Sequence, residues 1–179
     1  MWTSPPISSV TPAKAGVPLL LPLPPTGVRK NKKRDSRFRG NDGVATAEAV
    51  TTTLPPYAEL LGLSTRRDGA ELLWIMPFRE EVVGRPGFLH GGAIAGLLEF
   101  AALGTLYDAL ADEDGVTAKP INVSVDFMRG GTGTETYASA TITRLGRRVA
   151  NVEAHAWQED RSKPIAAARM NLLLKRKAG

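Results

Sequence analysis

The chain contains no cysteine and only two histidines, His90 and His155, among its 179 residues. The absence of cysteine excludes disulfides, thiolate metal sites and a cysteine nucleophile. Two histidines are too few for a histidine-rich metal cluster, and the carboxylates have no spacing around them that supports a mixed site. We therefore expect neither a metal ion nor another cofactor.

Long uninterrupted apolar runs are also absent. No stretch of 18 or more residues is free enough of Gly, Pro and polar groups to predict a membrane span. The nearest is 91–106, but its length and its single Glu favour a buried core helix. The proline-broken N-terminal segment makes a poor signal peptide, so we expect a cytoplasmic protein with no membrane partner.

Excess positive charge is confined to the N-terminal quarter of the chain. Residues 1–43 hold eight Lys and Arg against two Asp, together with seven of the 13 prolines, whereas the remainder holds 15 basic and 16 acidic residues. This composition predicts a disordered basic extension over 1–43 and a folded domain over 44–179. Nucleic-acid binding would rest on that extension alone, so we do not expect it.

Two segments of the extension bear on the position of the start codon. The segments 11–16 and 35–43 resemble the translation of a dispersed bacterial intergenic repeat. This resemblance implies that the assigned start codon is too early and that the working protein begins near Val44 or later.

The periodicity of the domain predicts two helices and five strands. The helices are expected at 55–63 and 91–110, and the strands at 71–78, 120–128, 134–145, 147–158 and 164–175. Short turns between the last four strands predict antiparallel neighbours. One sheet with one long helix is an α+β arrangement, and a helix that is apolar nearly all round requires a sheet curled around it.

One carboxylate interrupts that apolar helix. Between Gly91 and Tyr107, Glu99 is the only charged side chain, and an uncompensated charge in such surroundings costs free energy. At the start of the helix, the Gly91 and Gly92 N–H groups are expected to be unpaired at the positive end of the helix dipole, where a developing oxyanion is stabilised. Gly91 and Glu99 are separated by about 12 Å of helix rise, too far to act on one carbonyl within one chain.

The element order, the His90-Gly91-Gly92 turn and a carboxylate nine residues after the His together resemble the hotdog fold. More narrowly, residues 55–176 resemble the acyl-CoA thioesterases of the phenylacetate-pathway (PaaI-like) and 4-hydroxybenzoyl-CoA type. The resemblance implies a curved antiparallel sheet wrapped around one long central helix. It also implies hydrolysis of an acyl-CoA thioester to the free acid and the CoA thiol.

The resemblance assigns roles to named positions. Glu99 matches the catalytic carboxylate, as general base or as nucleophile, and Gly91 matches the residue whose N–H polarises the thioester carbonyl. His90 matches the histidine that shapes the site. The family's dimer implies that Gly91 and His90 of one subunit act with Glu99 of the other, within a homodimer or homotetramer.

Further residues are candidates for binding the substrate. Gly92 lacks a Cβ, so a substrate can approach its backbone closely, and Arg85, Arg129 and Arg147 are candidates for the CoA phosphates. Two positions depart from the family pattern: Gly84 stands where many members have Asn or Gln, and Leu103 stands where some have Ser or Thr.

Two other functions remain open. A hotdog hydratase or dehydratase would use His90 and Glu99 as a proton-transfer pair, although the spacing fits thioesterases better. A non-catalytic acyl-CoA-binding hotdog protein would be consistent with Gly84 and Leu103. The sequence does not specify the acyl group.

Overall fold

The computed structural model describes residues 54–176. Residues 1–53 and 177–179 lie outside this part, and with them the predicted extension 1–43 and its boundary. The helices are α1 (Pro56–Leu60) and α2 (Gly91–Ala109), and the strands are β1 (Ser64–Asp68), β2 (Glu71–Met76), β3 (Val83–Arg85), β4 (Phe88–Leu89), β5 (Thr117–Phe127), β6 (Thr136–Leu145), β7 (Val149–Trp157) and β8 (Ala166–Lys175).

Six strands form one antiparallel sheet in the order β1-β2-β6-β7-β8-β5, and α2 packs against it. Strands β7 and β8 bury alternate residues, because successive side chains of a strand point to opposite faces. Many of the buried ones are alanines, which let the helix approach the sheet closely: Ala150, Ala154, Ala156, Ala166 and Ala168. The expected α+β hotdog fold is confirmed.

The central helix α2 is buried around most of its circumference, as its apolar composition requires. Twelve of its 19 residues are buried. In its first half, the side left open carries Gly91, Gly92, Ala95 and Glu99. This open stripe, formed by three small residues and one carboxylate, runs from the start of the helix to its middle.

The position of β5 differs from the sequence-based expectation. Strand β5 pairs with β8 and not with β6, although β6 follows it in the chain. The connection 128–135 crosses the ends of β7 and β8, and the N–H groups of Met128 and Arg129 both donate to the Ile165 carbonyl. The predicted neighbour is wrong because eight residues are long enough to span the two intervening strands. One edge of β5 is consequently open.

Two smaller elements were not predicted. Strand β1 (Ser64–Asp68) forms a hairpin with β2, and all of its residues are exposed. Its polar sequence lacks the apolar alternation that marks a half-buried strand. The predicted loop 79–89 contains the short antiparallel pair β3–β4, which leads directly into α2.

The contact between α2 and β2 can be tested at Gly104. A Cβ at this position would lie 2.6 Å from Nε1 of the buried Trp74. Overpacking costs about 1–3 kcal/mol, and the higher helix propensity of Ala offsets about 1 kcal/mol of that cost. We therefore expect Gly104→Ala to destabilise the fold by up to about 2 kcal/mol. Chemical denaturation measures the change, with the neighbouring Thr105→Ala as the control. Equal or greater stability of Gly104→Ala would contradict the packing.

Candidate active site

His90 caps the start of α2. Its Nδ1 accepts a hydrogen bond from the Gly92 N–H at 2.9 Å, and its carbonyl accepts from Ala93 at 3.0 Å and from Ile94 at 3.2 Å. An imidazole whose Nδ1 is an acceptor carries its proton on Nε2 when the ring is neutral. The cap therefore fixes the tautomer of His90 and satisfies two orphan donors of the first turn, the N–H groups of Gly92 and Ala93. The bond from Ile94 is the first regular bond of the helix.

Gly91 keeps a free N–H. No acceptor in residues 54–176 bonds to it, so it is an unpaired donor at the positive end of the helix dipole. The expectation that the Gly92 N–H is also unpaired is wrong, because His90 takes it. The Gly92 carbonyl is also occupied, since it accepts from the Tyr57 hydroxyl at 3.3 Å.

The absence of a side chain at Gly84 allows His90 to take its capping position. A Cβ at Gly84 would lie 2.9 Å from the Cα of His90, so a side chain at this position requires the turn to move. The His90 N–H donates to the Val82 carbonyl at 2.8 Å, which ties the same turn to the segment before β3. The departure from the Asn or Gln of many family members thus has a packing reason in this chain.

Glu99 is half-buried on the open stripe of α2, between the buried Leu98 and Phe100. Within the described part of the chain, no hydrogen bond or ion pair compensates its carboxylate. Partial burial raises the pKa of the Glu99 carboxyl above its ordinary value. The result is an uncompensated carboxylate with increased affinity for a proton.

Gly91 and Glu99 are eight residues apart on a regular helix. Their separation along the axis is about 12 Å at 1.5 Å per residue, so the free N–H and the carboxylate of one chain do not reach the same carbonyl group. Leu103, at the position where some family members have a hydroxyl, is fully buried one turn beyond Glu99. No side-chain hydroxyl supports the carboxylate from that position.

Phe127 contacts the candidate site, although the sequence did not predict this contact. Its ring lies at the end of β5 and reaches the start of α2, with Cζ 3.3 Å from the place that a Cβ of Gly91 would occupy. The side chain is nevertheless 55% exposed. The alternation of β5 indicates which face Phe127 lies on, but nothing in the sequence indicates that it touches Gly91.

Two of the three predicted arginines lie near the start of α2. The guanidinium carbon of Arg85 is 3.8 Å from the ring centroid of Phe88, and Arg129 donates to the Pro164 carbonyl at 3.0 Å. Both residues are exposed.

Arg147 lies away from that end of the helix, and His155 lies on the opposite face of the sheet. The Arg147 carbonyl accepts from Arg176, whose guanidinium pairs with Glu113 just beyond the C-terminal end of α2. His155 is exposed on the outer face of β7, away from α2. The structure therefore does not bring either residue to the Gly91 turn of its own chain.

Residues 54–176 contain neither a metal-binding cluster nor a membrane-spanning helix. No group of three or more His, Asp and Glu side chains in this range is placed to hold a metal ion. None of the helices in the same range has the length and apolarity needed to cross a membrane.

Comparison with known proteins identifies the family. A family model described as the thioesterase superfamily matches residues 86–165, which include the His90 cap, α2 and Glu99. A protein from Chromobacterium violaceum with a crystal structure is 37% identical, over 69% of this chain and 85% of that one, with a TM-score of 0.55. The chain belongs to the thioesterase superfamily. A comparison with curated proteins gives no match.

Other solved structures resemble this thioesterase-superfamily chain more distantly. A mutant thioesterase from Pseudomonas aeruginosa is 26% identical, over 66% of this chain and 84% of that one, with a TM-score of 0.58. A Bacillus halodurans protein crystallised with CoA is 22% identical, over 68% of this chain and 80% of that one, with a TM-score of 0.62. The second likeness shows the shared fold alone.

The raised pKa of Glu99 predicts a pH-dependent effect on stability. A carboxyl whose folded pKa exceeds its unfolded value costs stability above the folded pKa, and this cost disappears below the unfolded value. We expect Glu99→Gln to raise the melting temperature at about pH 8 and to have no such effect at about pH 4. Thermal denaturation at both pH values measures this, with the exposed Glu159→Gln as the control. An unchanged or lower melting temperature of Glu99→Gln at the higher pH would show that the charge is compensated.

Proposed function

We propose that the protein hydrolyses an acyl-CoA thioester to the free acid and the CoA thiol. Membership of the thioesterase superfamily supports thioester hydrolysis in general. One observation supports this particular site: the free Gly91 N–H and the uncompensated Glu99 carboxylate lie on the same open stripe of α2. One group suits a developing negative charge, and the other suits a proton.

The two groups would divide the chemistry between them. The Gly91 N–H donates to the thioester oxygen, which gains negative charge when the carbonyl carbon is attacked. Glu99 removes a proton from the attacking water, the carbon–sulfur bond then breaks, and the thiolate takes that proton as it leaves. Direct attack by Glu99 on the carbonyl carbon would instead break the carbon–sulfur bond, release the thiolate and leave an anhydride. Water then hydrolyses the anhydride to the free acid and the Glu99 carboxylate, and the proton released goes to the thiolate. A raised pKa makes Glu99 a stronger base in the first scheme and a stronger nucleophile in the second.

We further propose that each site is shared between two copies of the chain. The open edge of β5 exposes large apolar side chains, among them Ile121, Val123 and Phe127. The opposite edge strand, β1, carries charged residues that discourage pairing with another chain. Pairing of two β5 edges about a two-fold axis would bring Gly91 and His90 of one chain to the partner's Glu99. A tetramer of two such dimers satisfies the same requirement.

The cap geometry argues against the hydratase or dehydratase alternative. A catalytic base needs a free lone pair, but Nδ1 of His90 already accepts from Gly92 and Nε2 carries the proton of the neutral ring. His90 is therefore suited to orient the turn and to donate a hydrogen bond. The non-catalytic alternative differs from our proposal only in whether thioesters are turned over.

Removal of the carboxylate tests the proposed reaction. We expect Glu99→Gln and Glu99→Ala to lower kcat by about 10²–10⁴-fold, which is the usual contribution of a positioned base. Release of free thiol from a panel of aryl- and alkyl-CoAs measures the rate, and CoA binding by calorimetry shows that the fold persists. If the wild type binds CoA but releases no thiol from any substrate, the protein is a binding protein and the proposal is wrong.

Gly91 offers a separate test of the backbone donor. Proline suits the first position of a helix, and the extended His90 (φ −71°, ψ 134°) is compatible with a following proline. Gly91→Pro therefore removes the N–H while preserving the helix, and we expect kcat to fall by about 10²–10³-fold. Gly91→Ala is the matched control, because it adds the same Cβ next to Phe127 and keeps the N–H. Equal rates for the two variants would contradict the role of this donor.

A further inference from the structure

We propose that Arg85, which lies over the ring of Phe88, and Arg129, which belongs to the connection that packs on the same ring, bind the phosphate groups of the CoA carrier. This inference rests on the proposed function, since it assigns the nucleotide half of the same substrate. It selects two of the exposed arginines of the chain on structural grounds.

Arg85 is a fixed but unpaired cation. Its guanidinium carbon lies 3.8 Å from the Phe88 ring centroid, within the range of a cation–π contact. No carboxylate in residues 54–176 forms an ion pair with Arg85. Other arginines of the described chain are neutralised by carboxylates, for example in the pairs Arg67–Asp108, Arg161–Glu71 and Arg176–Glu113. This contact holds the guanidinium group over the ring and leaves its N–H groups available to an anion.

The Phe88 ring is held from two sides. Phe88 is paired with Arg85 across the β3–β4 hairpin. The ring also packs on the backbone of Gly130, so closely that a Cβ there would lie 2.8 Å from it. The next residue, Leu89, donates its N–H to the Gly131 carbonyl at 2.9 Å. The Phe88 ring is thus packed against the connection 128–135. Arg129 belongs to this connection and directly precedes Gly130.

Two hydrogen bonds fix the position of Arg129 in the same connection. Its backbone N–H donates to the Ile165 carbonyl at 3.1 Å, and its guanidinium donates to the Pro164 carbonyl at 3.0 Å. A guanidinium has five N–H donors, so one such bond leaves most of them free. The side chain is anchored by a neutral acceptor and keeps its full charge.

The electrostatic field around this pair favours an anion. The first turn of α2 contains no acidic residue, and its dipole adds positive potential. Two acidic residues, Glu80 and Glu81, lie just before β3. Glu81 forms an ion pair with Arg79 at 3.7 Å. Arginine binds phosphate oxygens through paired N–H groups, and the CoA carrier brings a pyrophosphate and a further phosphate. The pantetheine arm can bridge these phosphates and a thioester at Gly91.

Substrates that differ only in the carrier test the assignment. One acyl group is presented on CoA, on 4′-phosphopantetheine and on N-acetylcysteamine, which carry three, one and no phosphates. The variants are Arg85→Ala and Arg129→Ala, and the matched control is Arg66→Ala, an exposed arginine 6.0 Å from the Tyr137 ring on a distant edge strand.

We expect Arg85→Ala to raise KM for the acyl-CoA at least about tenfold with kcat unchanged, as loss of a charge-assisted bond implies. Arg129→Ala should act in the same direction. Neither should alter KM for the N-acetylcysteamine thioester, the phosphopantetheine thioester should respond less than the acyl-CoA, and Arg66→Ala should change none of the three.

Two results would overturn the assignment. One is an unchanged KM for the acyl-CoA in Arg85→Ala, and the other is an equal rise for all three carriers, which indicates a merely structural role. Absence of turnover in the wild type would instead reject the proposed function. In that case calorimetry with CoA itself decides: weakened binding by Arg85→Ala supports the subsite, and unchanged binding rejects it.

Discussion

The hydrogen bond from the Gly92 N–H to Nδ1 of His90 determines which donor remains at the start of α2. Together with the two bonds accepted by the His90 carbonyl, it satisfies every first-turn N–H except that of Gly91. A helix start with four free donors would be a general anion site. With one donor left, it becomes a specific position for a single oxygen atom, and the close contact between Gly84 and His90 keeps this geometry in place.

The second constraint is the burial of α2. A helix that is apolar on nearly all sides must be covered by the sheet, and the alanines of β7 and β8 allow this. The part left open contains Glu99, which has no compensating group in the described chain. In the proposed reaction, a single chain would therefore contribute one half to each of two shared sites. The open, apolar edge of β5 offers a physical way to complete both of them.

Much of the fold and of the candidate site could be predicted from the sequence. The apolar helix, its single carboxylate and the His-Gly-Gly turn are local patterns, and they indicated the hotdog fold and the positions of Gly91 and Glu99. The pairing of β5 with β8 depends on a long connection, whose course no local pattern specifies. The contact of Phe127 with Gly91 and the capture of the Gly92 N–H by His90 arise only when distant or rotatable groups take their final positions.

Mixed dimers test most directly whether one catalytic site is built from two chains. Glu99→Gln and Gly91→Pro chains are each expected to be inactive as pure dimers, but a dimer containing one of each has one site with both Gly91 and Glu99 intact. Refolding the two variants together in equal amounts should restore about one quarter of the wild-type activity, because half of the dimers are mixed and each has one working site. Activity no greater than that of the two variants measured separately would contradict a shared site.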